Sequence, residues 1–150
     1  MKKSFSAVLL AFVSLLSLVG CTYQDPTQAI IGKEREALDR WSNGDPFGYI
    51  NLTDTSMTYF DPSLEKRIDG KKAFEEYIAP VKGKIHIDKY EMINPRVQAH
   101  GEVVVLTYNL IDYAKGDTSR WNSTEVYWLV QGDWKLIHSH WSFTRPPLEP

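Results

Sequence analysis

Residues 103–143 read VVVLTYNLIDYAKGDTSRWNSTEVYWLVQGDWKLIHSHWSF. β-branched and aromatic residues dominate, and short glycine-bearing breaks divide the stretch. After a turn at His100-Gly101, Val103–Tyr113 predicts one long strand and Trp121–Val130 a second. Gln131-Gly132-Asp133 is a tight connection, and Trp134–Phe143 predicts a third strand, closed by Pro146-Pro147. Upstream, Ile85 and Ile87 alternate with His86 and Asp88, so the period of two is expected to begin at Lys84.

Before Lys84 the period is helical. Ile30, Ala37, Leu38 and Trp41 recur at helix spacing among Lys33, Glu34, Arg35, Glu36 and Asp39, and Ser42-Asn43-Gly44 stops the run. Asp45-Pro46 is a start signal for a second short helix. Met57–Phe60 predicts a strand halted at Asp61-Pro62. Asp69-Gly70 opens a third helix with Ala73, Phe74, Tyr77 and Ile78 on one face, and Pro80 ends it. Three helical segments followed by hairpin-linked strands imply an α+β domain, its helices packed on one face of a curved antiparallel sheet. Such a lid over a curved sheet leaves a concave space of the kind that takes small ligands.

The chain has 150 residues, 43% of them apolar and 24% charged, with net charge −2. That is one globular domain plus at most a targeting segment. The balanced charge excludes the basic field that nucleic-acid binding needs. A single cysteine excludes a disulfide framework. Lys2 and Lys3 precede an apolar run, Ala7–Val19, that ends in Leu18-Val19-Gly20-Cys21. Thirteen helical residues span about 20 Å, short of a hydrocarbon core of about 30 Å. Residues 1–20 are therefore expected to be a bacterial lipoprotein signal peptide and Cys21 the lipidated residue, with 21–29 as lipidated Cys and tether. The domain is expected over 30–146 and a tail over 147–150. Lipid on Cys21 would tether the protein to the cell envelope without a spanning helix. Thr22 after the cysteine points to the outer membrane, facing the periplasm.

Several short motifs lie in order along the chain: Thr58-Tyr59-Phe60-Asp61-Pro62, Asp69-Gly70, Ile93-Asn94-Pro95-Arg96-Val97, Gly101-Glu102, Tyr113, Thr124–Tyr127, Gly132-Asp133-Trp134 and His138-Ser139-His140-Trp141-Ser142. Together they resemble the nuclear-transport-factor-2-like (SnoaL-like) superfamily, most closely the association (hub) domain of calcium/calmodulin-dependent protein kinase II and its stand-alone bacterial relatives. The resemblance implies a cone fold, an assembly role and no metal or other cofactor. It also implies a cavity whose arginines, in the animal hub, fall here on Asn109, Glu125 and Trp141, and whose histidine falls on Phe74. None of the four is retained, so a guanidinium fork for a carboxylate ligand is missing. Phe74, Asn109, Glu125, Tyr127 and Trp141 are the implied ligand-binding set. Trp141, Tyr127 and Phe74 would box a cation, with Glu125 as counter-charge.

The same fold hosts acid–base enzymes, and a cavity isomerase, cyclase or lyase is the alternative function. Its candidate groups are Asp61, Glu125, Asp112 and His140, with Tyr59, Tyr108 and Tyr127 as possible donors. His138 and His140 share one strand face, but two ligands do not make a zinc site. Strand parity leaves one choice open: the cavity is lined either by the face of Asn109, Glu125 and Trp141 or by that of the two histidines. The resemblance favours the odd-numbered face. On that choice Val104, Leu106, Tyr108 and Leu110, with Val126, Trp128 and Val130, form an outward apolar surface. That surface predicts a homodimer or higher homo-oligomer.

Overall fold

The computed structural model describes residues 24–144. The signal segment 1–20, Cys21 and the tail 147–150 lie outside the described residues. The elements are α1 (Thr27–Ser42), α2 (Phe47–Leu52), β1 (Thr53–Phe60), β2 (Ile68–Asp69), α3 (Lys71–Ile78), β3 (Lys89–His100), β4 (Val103–Ala114), β5 (Asp117–Val130) and β6 (Asp133–Phe143), with a 3-10 turn at Ala79–Val81. Helix α1 starts at Thr27, so Thr27–Ala29 form its first turn rather than the end of a tether.

The six strands form one sheet in the order β2-β1-β6-β5-β4-β3. The α+β expectation holds. One pair departs from the antiparallel plan: β1 lies parallel to β6, with Thr58 beside His138 and Phe60 beside His140. β5 and β4 lie between β6 and the edge strand β3, and β1 takes the other side of β6.

The strand region begins later than alternation predicts. Ile85 and Ile87 are not in a strand. The Ile87 N–H donates to the Ser42 carbonyl at 3.0 Å, and the Gly83 N–H donates to the Gly44 carbonyl at 2.8 Å. Carbonyls at the end of α1 lack partners within the helix, and this loop supplies two donors there. Gly44 is required: its φ is +76°, and a Cβ would lie 2.8 Å from the Ile85 carbonyl oxygen.

Pro95 sits inside β3 without breaking it. The register shifts between Ile93 and Arg96, and Asn94 has φ +48°. β3 is an edge strand, where a bulge and a missing N–H are tolerated.

The core lies between the helices and one face of the sheet. Ile30, Ala37 and Leu38 of α1 meet Val104, Leu106, Tyr108 and Leu110 of β4, all buried. This corrects the parity expectation for β4, whose even-numbered residues face inward. The hairpin Lys115-Gly116 ties this to β5: its two residues have φ +53° and +90°, which pairs Ala114 with Asp117 and makes every later pair odd with even, so with Glu125 inside, the even residues of β4 are inside too. Leu106 therefore opposes Glu125, and Asn109 opposes Asn122. A second irregularity leaves Ile137 unpaired between Val126–His138 and Tyr127–Leu136. That bulge puts Leu136, Ser139 and Trp141 on the inner side, while His138 and His140 face out.

Candidate functional site

Between the helices and the inner sheet face lies an open cavity of about 340 Å³. Helix α1 contributes Leu38 and Trp41, and α3 contributes Phe74, Tyr77 and Ile78. The sheet contributes Tyr59, Leu110, Trp121, Ser139 and Trp141. The rings pack edge-on and tilted: Tyr59 and Phe74 are 5.0 Å apart, and Trp121 and Trp141 6.2 Å apart. Two carboxylates join this wall. Asp61 accepts the Tyr77 hydroxyl at 2.9 Å and the Ser63 N–H at 2.7 Å. Asp112 accepts Trp121 Nε1–H at 2.7 Å. No lysine, arginine or histidine lines the cavity among the described residues.

Two further carboxylates lie one hydrogen bond behind the wall, both with no exposed surface. Glu34 Oε1 accepts the Tyr49 hydroxyl at 2.8 Å and the Tyr108 hydroxyl at 2.7 Å, and Oε2 accepts the Tyr127 hydroxyl. Glu125 Oε1 accepts Ser123 Oγ–H at 2.8 Å and Ser139 Oγ–H at 3.0 Å. Trp141 Nε1–H in turn donates to Ser139 Oγ at 3.1 Å. Glu125 Oε2 has no hydrogen-bond partner among the described residues. Tyr49 and Ser139 belong both to this network and to the cavity wall.

Burial raises the carboxyl pKa of Glu34, opposed by its three phenol donors. Burial pushes Glu125 well above the ordinary glutamate range, and the Glu34 charge pushes the same way against the two serine hydroxyls. Tyr49, Tyr108 and Tyr127 are all held well up by burial first and by the Glu34 charge second, so they stay protonated donors. Tyr59 is likewise raised by burial, then by Asp61.

The structure brings some expected residues together and separates others. Phe74, Trp141, Tyr59, Asp61 and Asp112 line the cavity. Tyr127, Tyr108 and Glu125 lie behind it in the buried network. Asn109 lies on the outer face, exposed, where its amide donates to Asn122 Oδ1 at 2.8 Å. His140 is also exposed on that face, beside Phe60. His138 is paired there with Thr58 at 2.8 Å, and burial lowers its pKa. Neither Asn109 nor His140 reaches the cavity, for the parity reasons given above.

Sequence reasoning missed Glu34, Tyr49, Trp41, Trp121 and Ser139. Glu34 carried a usable signal. It falls four residues after Ile30 and four before Leu38, inside the apolar stripe of α1. Tyr49 reaches Glu34 because α2 packs tightly on α1: a Cβ on Gly48 would lie 3.1 Å from Ala37 Cα.

Comparison with known proteins places this architecture. The model of the calcium/calmodulin dependent protein kinase II association domain matches residues 28–145. A candidate ketosteroid isomerase from Parabacteroides distasonis ATCC 8503 is 37% identical, over 84% of this chain and 92% of that one, with a TM-score of 0.75. The association domain of C. elegans calcium/calmodulin-dependent kinase II is 28% identical, over 77% of this chain and 93% of that one, with a TM-score of 0.66. A nuclear-transport-factor-2-like protein from Pseudomonas putida KT2440 shares the fold at 19% identity, covering 81% of this chain and 89% of its own, with a TM-score of 0.71.

Proposed function

The chain belongs to the calcium/calmodulin-dependent protein kinase II association-domain family, and from that premise we propose that it is a small-molecule-binding domain for a cationic or neutral ligand. One observation carries this reading: the cavity wall is aromatic, holds Asp61 and Asp112, and has no basic side chain among the described residues. Ring faces attract cations, and nearby carboxylates add charge. A carboxylate ligand would find repulsion and no fork. Calorimetry with amines and quaternary ammonium ions against carboxylates of matched size tests this. Binding confined to the cations and their neutral isosteres supports the reading, and binding of the carboxylates alone overturns it.

A second reading rests on the outer face. Val103 and Trp128 pair across β4 and β5 and are 37% and 39% exposed. Val105 and Val126, paired beside them, extend the same surface. Large aromatics left in water favour a second copy, and a two-fold dimer covers such a patch at once. Self-association through this face fits the family's assembly role. A monomer mass by sedimentation at micromolar concentration would remove this reading.

The proposal includes the anchor. Lys2, Lys3, the run Ala7–Val19 and Cys21 support export and lipidation, with the domain facing the periplasm from the outer membrane. Fatty-acid labelling that persists in C21S would overturn it. The alternative, a cavity acid–base enzyme, draws on the isomerase-like relative and on Asp61 beside Tyr59 and Tyr77. Binding is preferred because Asp61 is already engaged by Tyr77 and Ser63, and both glutamates sit behind the wall.

A further inference from the structure

Glu34 and Glu125 are the only carboxylates with no exposed surface among the described residues. Neither is bonded to a lysine, arginine or histidine there. The titratable groups that face the pair come from four further elements and are all phenols: Tyr49 from α2, Tyr59 from β1, Tyr108 from β4 and Tyr127 from β5. Ser123 and Ser139 complete the shell but do not titrate. Two negative charges close together, dry and without a cation, are not sustained in a protein interior.

Donor placement says which carboxyl keeps its charge. Three phenols donate to Glu34, engaging both of its oxygens. A proton on Glu34 would weaken that acceptor and set a fourth hydrogen among three that already point at it. Both donors to Glu125 fall on Oε1, and Oε2 is free to carry hydrogen. Trp141 and Ser139 connect Glu125 directly to the cavity wall.

Building on the cation reading above, we infer that the pair holds one proton, on Glu125, and that a cation entering the cavity exchanges for it. On binding, the Glu125 O–H bond breaks, the carboxylate stays as counter-charge, and the proton passes to bulk buffer. The cavity then gains a further negative charge, beside the carboxylates of Asp61 and Asp112, only when a positive one arrives. The sign follows from linkage. The cation lowers the Glu125 pKa, so binding releases a proton and tightens as pH rises, by up to tenfold per pH unit between the two pKa values. A ligand that is permanently charged isolates this effect from its own titration.

The test uses the purified full-length chain, labelled with 13C at glutamate carboxyls, and benzyltrimethylammonium as the cation. At pH 7 one glutamate carboxyl carbon is expected at the shift of a neutral acid, and its absence from E125Q assigns it. Saturation with the cation should move it to the carboxylate position. Calorimetry in two buffers of different ionisation enthalpy should show close to one proton released per ligand. If every glutamate in the free protein is already ionised at pH 7, the inference fails. If the neutral carboxyl survives saturation while binding heat is seen, the exchange fails and the cation cavity stands. If no binding heat appears for this cation, both fail together. The wild-type spectra decide the matter even if E125Q does not fold.

Discussion

The two faces of β4, β5 and β6 are built from alternate residues of the same strands, yet they hold their polar groups in opposite ways. The inner face carries Tyr108, Ser123, Glu125, Tyr127 and Ser139, polar groups that are almost entirely buried and bonded to one another or to Glu34. The outer face carries Asn109, Asn122, His140 and Trp128, largely exposed. The polar residues that matter most are inside, and a large apolar ring is outside. Burial of polar groups costs free energy unless they are paired, so the inner set is a committed network. Exposed Trp128 is the ring on which the self-association proposal rests.

The contrast breaks hardest at Glu34. E34A removes the acceptor of three buried phenols and leaves a cavity. It should cost about 4 kcal/mol of stability, read from urea unfolding. A loss under about 1 kcal/mol would mean the tyrosines find other acceptors.

Glu125 sharpens it through pH. Its native pKa lies above the ordinary value of 4.5, so the folded state binds the extra proton. Its contribution to stability is greatest below pH 4.5 and falls as pH rises toward the native pKa, by up to about 1.4 kcal/mol per pH unit. E125Q imitates the neutral acid and should flatten that slope in unfolding curves taken from pH 5 to 8. An unchanged slope would assign it to another group.

Trp141 tests the cavity wall. W141L removes a ring face and the donor to Ser139, and should weaken quaternary ammonium binding about tenfold, equivalent to about 1.4 kcal/mol. The outer-face control H140A should leave that affinity unchanged, because His140 does not reach the cavity.

The smallest energetic change belongs to Trp128. W128D should alter the stability of the monomer by under about 0.5 kcal/mol, as exposed substitutions do. Its sedimentation should nonetheless shift toward monomer, while cavity binding persists. If W128D also abolishes ligand binding, the two faces are not independent.

Most of the fold was legible because strand and helix periods differ and because glycine and proline punctuate them. The helix over α1, the helix opened by Gly70 and the three long strands follow from those signals. Ile85 and Ile87 misled, since their alternation serves a loop tied to the end of α1. Half of the candidate site was legible as aromatic and acidic residues at suitable places. Asn109 was not, although Lys115-Gly116 between Ala114 and Asp117 carried the two-residue hairpin that sets its face. Glu34 was not, because a glutamate among charged neighbours reads as solvated unless its place in the apolar stripe is weighed.

The sequence by itself determined the class of elements, their order and the family, since these rest on local pattern and on motifs read along the chain. Tertiary structure decided which face of β6 turns inward. The unpaired Ile137 shifts β6 by one residue, and a one-residue shift reverses every side chain beyond it. It also decided that Glu34 and Glu125, 91 positions apart in sequence, share one dry interior. Their proton balance depends on that proximity and on the absence of a bonded cation among the described residues, and neither is a property of any local stretch of chain.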